Sequence, residues 1–122
     1  MRSGSLPAEK VGRGYTETVQ RALEYISVNY EKNFSNSELA KIGNLSVSRF
    51  EHLFKEETGI SLGAYRQRLR IENAKNLLTS TDLTVSEISE LVGFGDSLYF
   101  SRIFKSKTGL SPTEYRQISA RR

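Results

Sequence analysis

Two short stretches carry side chains whose types and spacing suit recognition of a polar edge. Ser48, Glu51, His52 and Lys55 fall at helical intervals, as do Ser97, Leu98, Ser101, Arg102 and Lys105. On a helix each set lies along one face. An arginine there offers two parallel donors that match guanine O6 and N7, a glutamate accepts from cytosine N4, and an imidazole meets guanine N7 or a phosphate. Lys55 and Lys105 stand a turn or less away and suit phosphates, which position a partner without specifying it. His52 is the single histidine and reads equally well as an ordinary surface residue.

Other chemistries find no support. The chain has no cysteine, which removes thiolate metal sites, disulfides and thiol nucleophiles together. It contains no glycine-rich phosphate loop, no cluster of histidine and carboxylate, and no nucleophile with a histidine base. No enzyme, metal or cofactor is expected.

The elements that position the two polar rows are set out by an internal repeat. Phe50 to Gln67 recurs as Phe100 to Gln117 at a shift of 50 residues, with nine of 18 positions identical, among them both phenylalanines, Lys55, Thr58-Gly59 and Tyr65-Arg66-Gln67. Two copies argue for two structural units; a solenoid needs at least three. Ser35-Asn-Ser-Glu38 and Thr84-Val-Ser-Glu87 read as capping boxes that open short helices at about 37 to 43 and 85 to 92. Gly43-Asn44 and Gly93 then tolerate the positive φ of a tight turn. Ser46 and Asp96 are N-caps of the next helices, which lie within 45–58 and 95–108. Their apolar residues Phe50, Leu53, Phe54 and Phe100, Ile103, Phe104 make one stripe each, opposite the polar rows.

Gly59 and Gly109 read as helix ends, with Ile60 and Leu110 placed for the hydrophobic contact of a Schellman motif. Ser111-Pro-Thr-Glu114 is a capping box with proline at the first helical position, opening a last helix to about Ser119. Val19, Ala22, Leu23, Ile26 and Tyr30 mark an amphipathic first helix from about 16 to 31, and Leu62 to Leu78 a connecting helix of roughly 27 Å. Tyr65 and Tyr115 are read as packing residues, and Arg66, Arg68 and Arg70 as a solvated or salt-bridged face of which some members touch a phosphate. The helix amino ends at Ser61 and Ser111 offer further phosphate-binding amides.

The resulting fold class is all-α: seven helices in two helix-turn-helix subdomains joined by a long linker helix. The first subdomain covers 15–60, the connecting helix 61–80 and the second subdomain 81–119. Residues 1–14 are expected to be a disordered linker or cloning remnant, and 120–122 a flexible tail. In a helix-turn-helix the second helix enters the major groove while the first braces it. Two such helices on a connector of about 27 Å suit successive major grooves, about 34 Å apart.

Charge agrees with a polyanionic partner. The chain carries +4 with a pI near 9.5, and residues 60–122 hold 10 basic against six acidic groups while 15–59 hold five against seven. No apolar run approaches a membrane span and no secretory signal opens the chain, so a cytoplasmic, nucleoid-associated protein is expected. The acidic first unit keeps a second class open, a helical protein-interaction module without a DNA role. RNA is less favoured, because few aromatic residues face outward on the predicted helices.

Arg70-Ile71, Ala74, Ile88, Gly93-Phe94, Tyr99-Phe-Ser-Arg-Ile-Phe-Lys105 and Thr108-Gly-Leu-Ser-Pro112 together resemble the AraC/XylS-type DNA-binding domain of bacterial transcription regulators. The resemblance runs from about Tyr15 to Gln117. It implies control of transcription initiation, an operator or promoter duplex and RNA polymerase as partners, and an effector-sensing or receiver domain in the full-length protein. Carried over position by position, it gives the base-reading role to Ser48, Glu51, His52, Ser97, Ser101 and Arg102. Lys55, Lys105, Ser61, Ser111 and Arg66 are the expected phosphate contacts. DNA-repair methyltransferases carry a similar domain, but their chemistry needs a cysteine.

Overall fold

The computed structural model describes residues 14–120, so the expectations for 1–14 and 120–122 fall outside it except at Gly14 and Ala120. The described residues form seven helices and no strand: α1 (Glu17–Asn29), α2 (Asn36–Ile42), α3 (Val47–Thr58), α4 (Leu62–Ser80), α5 (Val85–Val92), α6 (Ser97–Thr108) and α7 (Pro112–Ala120). They divide into two compact units. Of the described residues, the first unit takes those up to Asn29 and Asn33–Gln67, and the second Tyr30–Lys32 and those from Arg68 onward. The boundary falls inside α4, so the stretch read from sequence as a connector supplies core to each unit: Leu62 to the first, and Ile71, Ala74 and Leu78 to the second.

In the first unit, Val19, Ala22, Leu23 and Ile26 of α1 pack with Leu39 and Ala40 of α2 and Phe50 and Phe54 of α3, all buried. The Ser35–Glu38 capping box is present, the Glu38 amide donating to Ser35 Oγ at 3.2 Å and the Ser35 amide to the Glu38 carboxylate at 3.4 Å. The turn that follows divides two demands between the Gly43-Asn44 pair. Asn44, not Gly43, takes the left-handed conformation, at φ 60°. Gly43 has φ −100°, and what it supplies is space, since a Cβ there would collide with the Thr18 side chain.

In the second unit, Phe100 and Phe104 of α6 pack with Ile88 and Val92 of α5 and with Ile71, Ala74 and Leu78 of α4. The Thr84–Glu87 capping box is closed by bonds of 3.0 and 2.8 Å. Gly93 here does both jobs at once. Its φ is +104°, and an added Cβ would lie 2.7 Å from the Glu31 carbonyl oxygen and 2.9 Å from Arg70 Cζ.

α3 and α6 end the same way. The Gly59 and Gly109 amides donate to Lys55 and Lys105 carbonyls at 2.8 Å. The next amides, of Ile60 and Leu110, donate to the hydroxyls of Thr58 and Thr108 at 3.2 and 3.1 Å. Each hydroxyl in turn lies within bonding distance of the Phe54 or Phe104 carbonyl. The threonine of Thr-Gly thus helps close the helix, a role the repeat displayed without explaining.

Gly109 is also left-handed, at φ +88°, but an added Cβ there meets nothing within 4 Å. Gly109→Ala is therefore expected to cost about 1 kcal/mol of unfolding free energy from backbone strain alone. Gly93→Ala, which adds overpacking against backbone, is expected to cost roughly 2 to 4 kcal/mol. Urea unfolding of the two variants side by side checks the order; equal losses would show that the close approach at Gly93 is unimportant.

Candidate nucleic-acid interface

α3 and α6 are each aimed by a cap and an apolar stripe. Ser46 Oγ accepts from the Arg49 amide at 3.1 Å and starts α3. Asp96 accepts from the Leu98 and Tyr99 amides at 3.0 and 3.3 Å and starts α6. With Phe50, Phe54, Phe100 and Phe104 fully buried, the opposite faces are left to solvent.

On α3 the expected residues come together. Ser48, Glu51, His52 and Lys55 are exposed and line, with Asn36, Ser61, Leu62 and Gly63, one concavity of about 440 Å³. Glu51 is held: Asn36 Nδ2 donates to its carboxylate at 2.6 Å. This partner was not legible in the sequence, since it sits 15 residues away on another helix. The three glutamates of α3 do not act as a block. Glu57 turns to the start of α1 and accepts from the Thr16 amide at 2.8 Å, while Glu56 lies 4.0 Å from His52 Nε2.

On α6, Arg102 and Lys105 are exposed, and Ser97 and Ser101 are half-buried beside them. Among the described residues Arg102 makes no hydrogen bond or ion pair, so its guanidinium is available. Lys105 and Lys107 occupy the last turn, where the helix carbonyls favour cations, and α6 contains no acidic residue.

Two expected phosphate contacts are placed differently. Arg66 Nη1 donates to the Phe34 carbonyl at 3.2 Å, and the guanidinium lies over the Phe34 ring at 4.6 Å. At the start of α7 the Ser111 amide already donates to the Glu114 carboxylate at 2.9 Å, which sets a negative charge where a phosphate would come. That hydrogen bond, with the positive charge of Lys105, holds the Glu114 carboxyl below the ordinary glutamate range. The start of α4 has no acid in its first turn, and Ser61 Oγ accepts from the Ala64 amide at 3.2 Å. Tyr65 and Tyr115 pack against Phe54 and Phe104, with ring centroids 6.1 and 5.4 Å apart.

A helix-turn-helix domain family matches residues 39–118. The arabinose operon regulatory protein of Escherichia coli (strain K12) is 43% identical over 99 residues, which make up 80% of this chain and 34% of that protein. The chain thus spans about a third of the length of such curated relatives. The C-terminal domain of AraT, a response regulator from Geobacillus stearothermophilus, superposes with a TM-score of 0.80 at 35% identity, covering 84% of this chain and 86% of that one. The DNA-binding domain of AdpA, solved with a target DNA, shares the fold with a TM-score of 0.81 at 24% identity, over 88% of this chain and 97% of that one.

The Glu114 bond carries a pH dependence whose sign is set by the depressed carboxyl. A group that is more acidic folded than unfolded stabilises the fold above its unfolded pKa and loses that contribution as pH falls through its folded one. Carboxyl NMR titration is expected to give Glu114 a midpoint below that of an ordinary glutamate, and the stability gap between the wild type and Glu114→Gln is expected to close on acidification through that range. An unshifted midpoint would remove the bond from the account.

Proposed function

The chain belongs to the AraC-type helix-turn-helix family of DNA-binding domains, and from that premise we propose that it reads duplex DNA with the outward faces of α3 and α6. The observation that carries the reading is the exposed, uncommitted guanidinium of Arg102 on an acid-free helix whose Phe100 and Phe104 are fully buried on the other side. Arg102 donates to guanine O6 and N7. In the first unit Glu51, steadied by Asn36, accepts from cytosine N4, and His52 meets guanine N7 or a phosphate. Ser48, Ser97 and Ser101 add short hydroxyl contacts to base edges. Lys55 and Lys105 meet phosphates, as do the free amides at the start of α4 beside Ser61. We assign no phosphate to Arg66 or Ser111, whose donors are engaged within their own units.

Two reading helices in one chain give a bipartite operator, with one half-site for each unit. The second unit, with Arg102, Lys105 and Lys107 on its helix, anchors; the first tunes. In this reading the full-length protein is a cytoplasmic, nucleoid-associated regulator that controls initiation through contact with RNA polymerase and carries a sensing or receiver domain besides. Support comes from the operon-regulator relatives and from the chain's span of about a third of their length. No helix among the described residues is long and apolar enough to cross a membrane. We propose no catalytic activity, since the one histidine faces outward on α3 and no cysteine is present.

Selection from a random duplex pool, followed by gel shifts in a salt series, tests this. Affinity is expected to fall by about 0.9 log unit per log unit of salt for each phosphate neutralised. Arg102→Ala is expected to cost about 1 to 3 kcal/mol and to relax the preference at one base pair. Lys105→Ala is expected to weaken all sequences alike and to lower the salt slope by about 1. Equal loss on selected and random DNA for Arg102→Ala would refute its role, and no retarded duplex at low salt would favour a protein-interaction module.

A further inference from the structure

Leu98 stands out on α6 because it is the most exposed large apolar residue of that helix, with 74% of its surface open to solvent. A lone exposed leucine is unremarkable in general; its position gives this one meaning. Leu98, Arg102 and Lys105 fall at i, i+4 and i+7, so they form a single stripe along α6. Leu98 lies in the first turn, the part of a recognition helix that reaches base edges. That turn is fixed from below by Asp96, which takes the Leu98 amide at 3.0 Å. The neighbouring Tyr99 is packed edge-on against Phe94, with centroids 5.9 Å apart. The repeat places a serine, Ser48, at the matching position of the first unit, so the leucine is not required by the fold.

Base edges in the major groove are donors and acceptors, with one apolar exception, the C5-methyl of thymine. A leucine pressed against any other edge would strip water from a polar group and offer nothing in return. We propose that Leu98 is a specificity-determining residue that contacts a thymine methyl next to the base pair read by Arg102. The assignment rests on the DNA-reading function above. It gives α6 two kinds of readout on one stripe, a hydrogen-bonding one and an apolar one, where the equivalent stripe of α3 is polar throughout.

The test uses the duplex selected by this chain, with each thymine of the second unit's half-site replaced in turn by deoxyuridine, which removes only the methyl. One replacement is expected to weaken wild-type binding about three- to fivefold, the worth of one buried methyl. Leu98→Ala and Leu98→Ser are expected to bind the thymine and uracil versions of that duplex equally, while Leu98→Met retains the preference. Uracil duplexes that all bind as tightly as their thymine parents would overturn the proposal. So would a half-site without thymine, or an unchanged methyl preference in Leu98→Ala. Arg102→Ala on the same duplexes separates the two failures: if it relaxes its own base pair while the uracil series is silent, the thymine contact falls and DNA reading stands. A chain that selects no duplex overturns both.

Discussion

The burial of two phenylalanines one helical turn apart, in each unit, is the constraint on which the other features depend. Phe50 and Phe54, and likewise Phe100 and Phe104, are fully buried, with their rings 6.3 and 5.7 Å apart. Each ring is worth about 1.5 to 3 kcal/mol of burial, so rotating α3 or α6 about its axis would expose two rings at once. That cost sets which residues face outward. Ser48, Glu51, His52 and Lys55 are presented because the phenylalanines are hidden, and the same holds for Leu98, Arg102 and Lys105. The caps at Ser46 and Asp96 and the threonine-glycine endings then determine where each helix begins and stops.

On this shared skeleton the two units are chemically unlike. In α3, acidic side chains are absorbed by the unit itself: Glu57 caps the start of α1 and Glu51 is bound by Asn36. α6 itself carries no acid beside Arg102, Lys105 and Lys107. The turns differ in the same way. One residue, Gly93, meets both the conformational and the spatial demand in the second unit, whereas the first divides them between Asn44 and Gly43.

What the sequence made legible is what local geometry decides. Capping boxes join residues three apart, apolar stripes repeat every three or four, and a helix end is marked by a left-handed glycine, so these follow from spacing alone. Contacts made across elements were not legible. Nothing in the spacing of Asn36 and Glu51 brings them together, and the contribution of α4 to both cores appears only when Leu62 and Ile71 are seen to be buried. The Schellman endings anticipated from Gly59 and Gly109 do not form: each glycine amide makes the single bond of a simple left-handed ending, and the next amide goes to a threonine hydroxyl, which a reading centred on the glycines passes over.

The arginines show why counting positive charge is a poor guide to an interface. A guanidinium has five donors on a long stem, so it satisfies orphan carbonyls as readily as phosphates. Arg70 Nε donates to the Tyr30 carbonyl at 2.7 Å and Nη2 to that of Lys32 at 3.2 Å. Arg116 bonds the carbonyls of Leu78, near the end of α4, and of Thr81, at 2.9 and 3.1 Å. Arg66 does the same for Phe34. These three still add to the long-range field that draws a polyanion, but their directed bonds are spent on holding loops to helices. In the proposed reading, direct contact falls instead to cations such as Arg102, which the phenylalanine stripe of its helix turns outward and which no directed bond engages among the described residues.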